Sequence, residues 1–222
     1  MNASNQTLPT HTAPTMVPAM ALALSASFGS VANWRESFAA VARAHVAEAG
    51  QVELAFVPAH ATLVNRWVVS DASSDSSDDA TRVLTMSLPD STDPEAFVAA
   101  IDWSSAYLRY TEAVHAASAP FAAHAADVSE ALLIDVRRAG VFEAAATQLA
   151  GAIWRDPACV SDWAPQLPAG REVIVYCVYG HEVGRVTAMR LQARGVNARF
   201  LEGGIDGWQG AGHRTVPKGE AS

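Results

Sequence analysis

The stretch Val173-Ile-Val-Tyr-Cys-Val-Tyr-Gly-His-Glu-Val-Gly184 decides how this chain is read. Its first four residues form an uninterrupted, β-favouring apolar run, as a strand covered on both faces requires. The run stops at Cys177, Gly180 marks a tight turn, and a helix begins near Val183. One thiol therefore sits where a strand hands over to a helix N-terminus, among N–H groups that lack intrahelical partners and carry partial positive charge. Such a setting stabilises a thiolate and predicts a lowered pKa, so Cys177 is a candidate nucleophile. The competing reading is a small residue buried at a strand end, the usual fate of a free cysteine.

The flanking sequence alternates strands and helices, the pattern of a parallel sheet covered by helices. Ala131-Leu-Leu-Ile-Asp-Val-Arg137 is a strand ending in charge, residues 142–149 a short helix, residues 151–154 an extended piece, and residues 160–167 a further helical turn or two. After the Cys177 loop, Val183, Val186, Met189 and Ala193 keep one helical face apolar, and Gly195 ends that helix. Residues 198–202 form the last strand, and Gly203-Gly-Ile-Asp-Gly-Trp208 opens a closing helix.

The first half has a different rhythm. Residues 1–17, rich in Asn, Thr and Pro, read as a flexible tail, and residues 16–26 as a short helix. Ser30 is an N-cap for a helix whose Val31, Trp34, Phe38 and Val41 recur at helical spacing. Residues 52–57, 62–69 and 82–87 read as three antiparallel strands. The acidic, Ser-rich run 70–79 between the last two is a solvated loop, and Asp93-Pro94 starts a helix continuing to about residue 117. The fold class is thus α/β: a parallel sheet flanked by helices at the C-terminus, preceded by an α+β domain with a three-stranded antiparallel sheet. The domains are 18–118 and 119–222, joined through the Ala-rich segment around Pro120.

Composition narrows the function classes. A net charge of −8 and a pI near 5.3 exclude the basic footprint of nucleic-acid binding and argue against an anionic membrane as partner. No apolar run approaches the roughly 20 residues of a bilayer span. Two cysteines, Cys159 and Cys177, are too few for a disulfide framework and point to the cytoplasm. His11, His45, His60, His115 and His124 are not spaced as metal ligands, so neither metal nor cofactor is expected.

Two resemblances follow from specific residues. Leu133-Ile-Asp-Val-Arg137, Gly151-Ala-Ile153, Tyr176-Cys-x-x-Gly180 and Leu201-Glu-Gly-Gly-Ile-Asp-Gly-Trp208 closely resemble a single rhodanese domain, in the family's order and spacing. The run from Tyr176 to Val183 is also similar to rhodaneses of chromate-resistance loci. Ala26-Ser-Phe-Gly-Ser30, Trp34, Phe38, Asn65 and Trp103-Ser-Ser-Ala-Tyr107 resemble the C-terminal half of iron and manganese superoxide dismutases. That family binds its metal with an Asp and a His of this last segment, where Ile101 and Ser105 stand here. Asp102 is one position late, about 100° round the helix. Dismutase chemistry is therefore not expected.

The rhodanese resemblance implies sulfur transfer. Cys177 attacks the outer sulfur of thiosulfate, a small-molecule persulfide or a protein donor, and the resulting persulfide passes its sulfur to a thiol or cyanide. Val178, Tyr179, Gly180, His181, Glu182 and Val183 are the persulfide-binding loop, whose N–H groups form an anion nest. Phosphatases of this fold need an Arg where Val183 stands, and Arg185 is placed elsewhere on the helix. Thiosulfate-using members carry cations in this loop, whereas here His181 stands beside Glu182, whose carboxylate repels a dianion by about 1 kcal/mol. The alternative to an enzyme is a non-catalytic binding or regulatory module.

Overall fold

The structure, a computed structural model, describes residues 15–69, 79–88 and 93–219. Most of the N-terminal tail and of the acidic run 70–79 lies outside the described residues. The first half contains helices α1 (Pro18–Phe28) and α2 (Val31–Ala44), strands β1 (Gly50–Val57), β2 (Thr62–Val69) and β3 (Thr81–Leu88), then helices α3 (Pro94–Ala99) and α4 (Trp103–Ser118). The strands form an antiparallel sheet in the order β2-β1-β3. Side chains set the helix starts: Ser30 Oγ accepts the Asn33 N–H at 3.0 Å, and Asp93 Oδ1 accepts those of Glu95 and Ala96. Trp34, Phe38, Leu54, Phe56, Trp103 and Tyr110 are buried together between helices and sheet.

The continuous helix expected to reach residue 117 is two helices. Ile101 turns into the core at the break, and the Asp102 carboxylate accepts the N–H groups of Ser104 and Ser105, starting α4 afresh.

The second half contains β4 (Ala122–Ala123), β5 (Leu132–Asp135), α5 (Ala139–Ala144), β6 (Thr147–Gln148), β7 (Ile153–Trp154), α6 (Val160–Trp163), β8 (Val173–Tyr176), α7 (Glu182–Gln192), β9 (Ala198–Leu201), α8 (Gly204–Gly210) and β10 (Val216–Pro217). Five strands make a parallel sheet in the order β4-β9-β8-β5-β7, with β8 at its centre, while β6 pairs with β10 in a separate ribbon. The period of two along β8 divides the core. Val173, Val175 and Cys177 face α6 and α7, whereas Ile174 and Tyr176 meet Leu133, Leu149 and Ile205 on the other face. The expected helix 142–149 ends at Ala144, because Thr147 and Gln148 pair with β10 and the Leu149 N–H reaches the Tyr176 hydroxyl at 3.2 Å.

Helix α7 belongs to both halves. Ala188 and Leu191 pack on the parallel sheet, while Val186 and Met189 join the core built by α4 and the antiparallel sheet. Buried Arg190 donates from Nε to the Ala61 carbonyl at 3.0 Å, and Arg185 Nη1 donates to Ser118 Oγ at 3.1 Å. The end of α7 nearest Cys177 is thereby fixed against α4.

Candidate active site

Cys177 follows the central strand directly, and two carbonyl contacts fix the backbone behind it. The N–H groups of Ile205 and Asp206, in the first turn of α8, donate to the carbonyls of Cys177 and Val178 at 3.0 and 2.9 Å. With those carbonyls drawn toward α8, the loop N–H groups turn the other way. The N–H groups of Gly180, His181 and Gly184 act to lower the thiol's pKa, and the His181 carbonyl lies 4.0 Å from Sγ as an acceptor.

Glycines make this loop possible by contact as well as by conformation. Gly180 has φ +67°, and a Cβ there would lie 2.6 Å from the Gly203 nitrogen. Gly204, φ +59°, would place a Cβ 2.5 Å from the Cys177 carbonyl oxygen. Gly184 has an ordinary conformation, but it lets α7 pass close to the thiol: a Cβ there would lie 3.4 Å from Sγ.

The thiol is 6% exposed. Burial is the largest influence on its pKa and raises it; the Gly184 N–H lowers it, the Glu182 charge raises it, and the Gly180 and His181 N–H groups lower it, for a net shift upward. The lowering expected from the helix terminus is therefore reversed. Desolvation on a central strand end and a carboxylate in the first turn of α7 outweigh the N–H groups.

Cys177 opens into a cavity of about 200 Å³. Val178, Tyr179, His181, Glu182 and Val183 line it, while Gly180 lies behind, against β9 and α8. Arg137, Arg138 and Val141 form a second wall, and Tyr107 and Ala19 of the first half form a third. Arg137 is engaged elsewhere: its Nε donates to both Asp135 oxygens at 2.9 Å and its Nη2 to the Thr147 carbonyl. Among the described residues no carboxylate lies within 4.0 Å of the Arg138 guanidinium. His181 is exposed between Tyr179 and His115, with ring centroids 5.6 and 6.2 Å away. Burial, Arg185 and His181 hold His115 below the usual histidine pKa.

Other candidates fall outside the cavity. Arg185 is drawn behind the loop, donating to the Gly180 carbonyl at 2.8 Å and lying over the Phe200 ring. Cys159 is exposed in the turn before α6 and does not line the cavity. Trp208, within α8, donates to the Arg214 carbonyl and packs on the cluster around Leu149 and Ile205. His124 pairs with Glu202 at 3.2 Å rather than with His115. Among the described residues no three His, Cys, Asp or Glu side chains are grouped to hold a metal. Ile101 is buried and Ser105 donates to Asp102, whose carboxylate caps α4, so these residues do not fit a metal.

Three contributors to this site escape a sequence reading. Gly184 lies one residue past the expected loop, and its fourfold spacing from Gly180 is the signal that could have found it. Arg138 follows the C-terminal end of β5, where the ends of neighbouring parallel strands converge on ligands. Tyr107 had no signal at all, since it lies 70 residues before Cys177 and arrives through the packing of α4 on α7.

Residues 118–211 match the rhodanese-like domain family. No curated protein matches the chain. Among solved structures, a rhodanese-related protein from Thermoplasma volcanium is 22% identical, with a TM-score of 0.39 over 43% of this chain and 96% of its own. A Rhodopseudomonas palustris protein of unknown function, described as a possible tyrosine phosphatase, is 19% identical, with a TM-score of 0.42 over 48% and 93%. A rhodanese-like domain protein from Staphylococcus aureus is 17% identical, with a TM-score of 0.36 over 46% and 97%. No helix among the described residues is long and apolar enough to cross a membrane. The region that matches the rhodanese-like domain family contains the whole parallel sheet and the Cys177 loop.

Proposed function

We propose that the chain is a sulfurtransferase that carries sulfane sulfur as a persulfide on Cys177. The observation that carries this reading is a thiol at the junction of the central strand and α7 that opens into a cavity, with the Gly184 backbone so close that a Cβ there would lie 3.4 Å from Sγ. A persulfide there extends its negative sulfur toward the cavity, while the N–H groups stabilise charge at the end that stays behind. In the first half-reaction the Cys177 thiolate bonds to the outer sulfur of a donor as the donor's own bond to that sulfur breaks. In the second, a thiol or cyanide takes the sulfur and Cys177 leaves as thiolate.

The loop Val178 to Val183 is the persulfide-binding segment in this proposal, and the partners are a small-molecule or protein sulfur donor and a thiol acceptor. Residues 18–118 are taken as a dismutase-like domain without a metal, its core completed by α7. Its support is the cluster in which Trp34 Nε1 donates to Asn65 Oδ1 at 3.2 Å and Trp34 meets Trp103 edge-on. The cytoplasm is the proposed location, on the two unpaired cysteines. A second reading, a binding or regulatory module with an idle cysteine, is favoured by the burial and raised pKa of Cys177.

Intact mass after incubation with thiosulfate, or with a low-molecular-weight persulfide, separates the two. A gain of one sulfur, about 32 Da, removed by cyanide and missing in Cys177→Ser, is the expected result. An unchanged mass with every donor, while the thiol remains open to alkylation, favours the binding module.

A further inference from the structure

Helix α7 carries a second concentration of charge at its far end from Cys177. Arg190 lies eight residues past Glu182, about 12 Å along the helix axis. There a cleft of about 490 Å³ opens between the two halves of the chain. The first half brings His60 and Thr62, on either side of the turn between β1 and β2, and the second brings Ser161 of α6 with Arg190 and Arg194.

Arg190 is 7% exposed, and among the described residues no carboxylate lies within 4.0 Å of its guanidinium or that of Arg194. Its Nε donates to the Ala61 carbonyl at 3.0 Å and its Nη2 to Ser27 Oγ at 3.4 Å, while Nη1 has no hydrogen-bond partner among the described residues. Arg194 is exposed but held in place: Nη1 donates to the Arg190 carbonyl at 2.9 Å and Nη2 to Ser161 Oγ at 2.8 Å. The two guanidiniums are near enough for Arg194 to act against the charge on Arg190. Asp156 and Asp162, which flank the segment supplying Ser161, do not line the cleft, and Asp156 Oδ1 is turned to the Ala158 N–H at 2.9 Å.

Cations in the last turn of a helix answer its dipole, which accounts for an exposed arginine such as Arg194. It does not account for a guanidinium more than nine-tenths buried, because a buried charge calls for an opposite one. The facing turn is also not at rest. Ala61 is the non-glycine residue with positive φ among the described residues, at +49°, and this conformation accompanies the contact of its carbonyl with Arg190.

Two arginines, a serine whose hydroxyl proton is still free to be donated, and a histidine, with no acid among them, suit a dianion. A carboxylate has two oxygens to share. A phosphoryl group has three, enough to meet both guanidiniums and Ser161 together. The cleft is larger than such a group, and Ala26 and Val160 leave part of its wall apolar, so a ligand with an organic body fills it.

We propose that this cleft binds a small phosphate monoester, its phosphoryl group between Arg190 and Arg194 with Ser161 beside it and its organic part reaching toward His60 and Thr62 of the first half. The site is independent of the chemistry at Cys177.

Isothermal titration calorimetry of the full chain with glycerol 3-phosphate should show saturable binding with a Kd of about 0.1 mM, about tenfold or more tighter than inorganic phosphate or succinate. Arg194→Gln, a change at an exposed position, should weaken it about tenfold or more, and His60→Ala severalfold. Glycerol 3-phosphate should also raise the melting temperature of wild type and leave that of Arg194→Gln unmoved, a difference that a purely structural arginine would not produce. Arg138→Gln, in the Cys177 cavity, should bind as wild type does. Loss of binding in Arg138→Gln with none in Arg194→Gln would put the anion beside Cys177 and overturn the inference. Inorganic phosphate or succinate binding as tightly as glycerol 3-phosphate overturns the ligand class, and no saturation by about 10 mM overturns the site itself.

Discussion

Each half of the molecule buries a chemically telling group at its central strand, and the two are compensated in opposite ways. Glu53 on β1 is fully buried, yet Arg66 of β2 reaches its Oε2 at 2.9 Å and Arg82 of β3 its Oε1 at 2.6 Å. Both partners come from neighbouring strands of the same sheet, and Arg66 lies directly opposite Glu53 in register. Cys177, at the end of β8, is met by backbone N–H groups and by a carboxylate of the same sign as its own thiolate. The first arrangement neutralises a charge and leaves it inert. The second withholds full compensation, so burial and the Glu182 charge hold the thiol above the usual cysteine pKa. A group matched by opposite charge supports the fold, whereas one left under-matched is free to react.

The largest effect expected from this contrast is on stability. Glu53→Ala removes the one carboxylate that two arginines share and should cost about 3 kcal/mol, the lower end for a broken buried pair because both arginines reach solvent. Urea unfolding measures it, and a loss below about 1 kcal/mol would mean the pair is as weak as a surface bridge. Next in size is the junction between the halves. Arg190→Met leaves the Ala61 carbonyl without its donor and should cost about 1–2 kcal/mol. Because α7 is shared, the loss should appear in one cooperative transition followed by both far-UV and tryptophan signals. Two separated transitions already in the wild type would break the picture of halves fastened through α7.

The smallest effect concerns the thiol itself. A raised pKa places the reactive thiolate on the alkaline side, so the rate of Cys177 alkylation should rise with pH and level off only above about pH 8.5, where an ordinary cysteine is half ionised. Removing the like charge in Glu182→Gln should move that inflection downward. An inflection below that of an ordinary cysteine would show the N–H groups dominating after all, and the contrast with Glu53 would lose its basis.

Much of this was legible in the residues, for reasons that differ from element to element. The strand 173–176, the helix starting at Glu182 and the closing helix after Gly203 were readable because apolar period and glycine position are local signals. Asp102 was visible as a residue out of step with a ligand position, but its role as an N-cap emerged only with the break between α3 and α4. The sign of the Cys177 pKa shift was misread, because a helix N-terminus is a local feature and burial is not.

By itself, the sequence determined the local frame of the candidate site: a cysteine at the end of a central strand, a loop turning at Gly180, and a helix running away from it. Periodicity, turn residues and caps act over a few positions, so a linear reading can follow them. Only the tertiary structure decided that the thiol is buried beneath a carboxylate, that Arg137 is tied to Asp135 while Arg138 faces the cavity, and that Tyr107 forms one of its walls. These depend on how α4 packs against α7 across a separation of about 70 residues, and no periodicity within a single element encodes that contact.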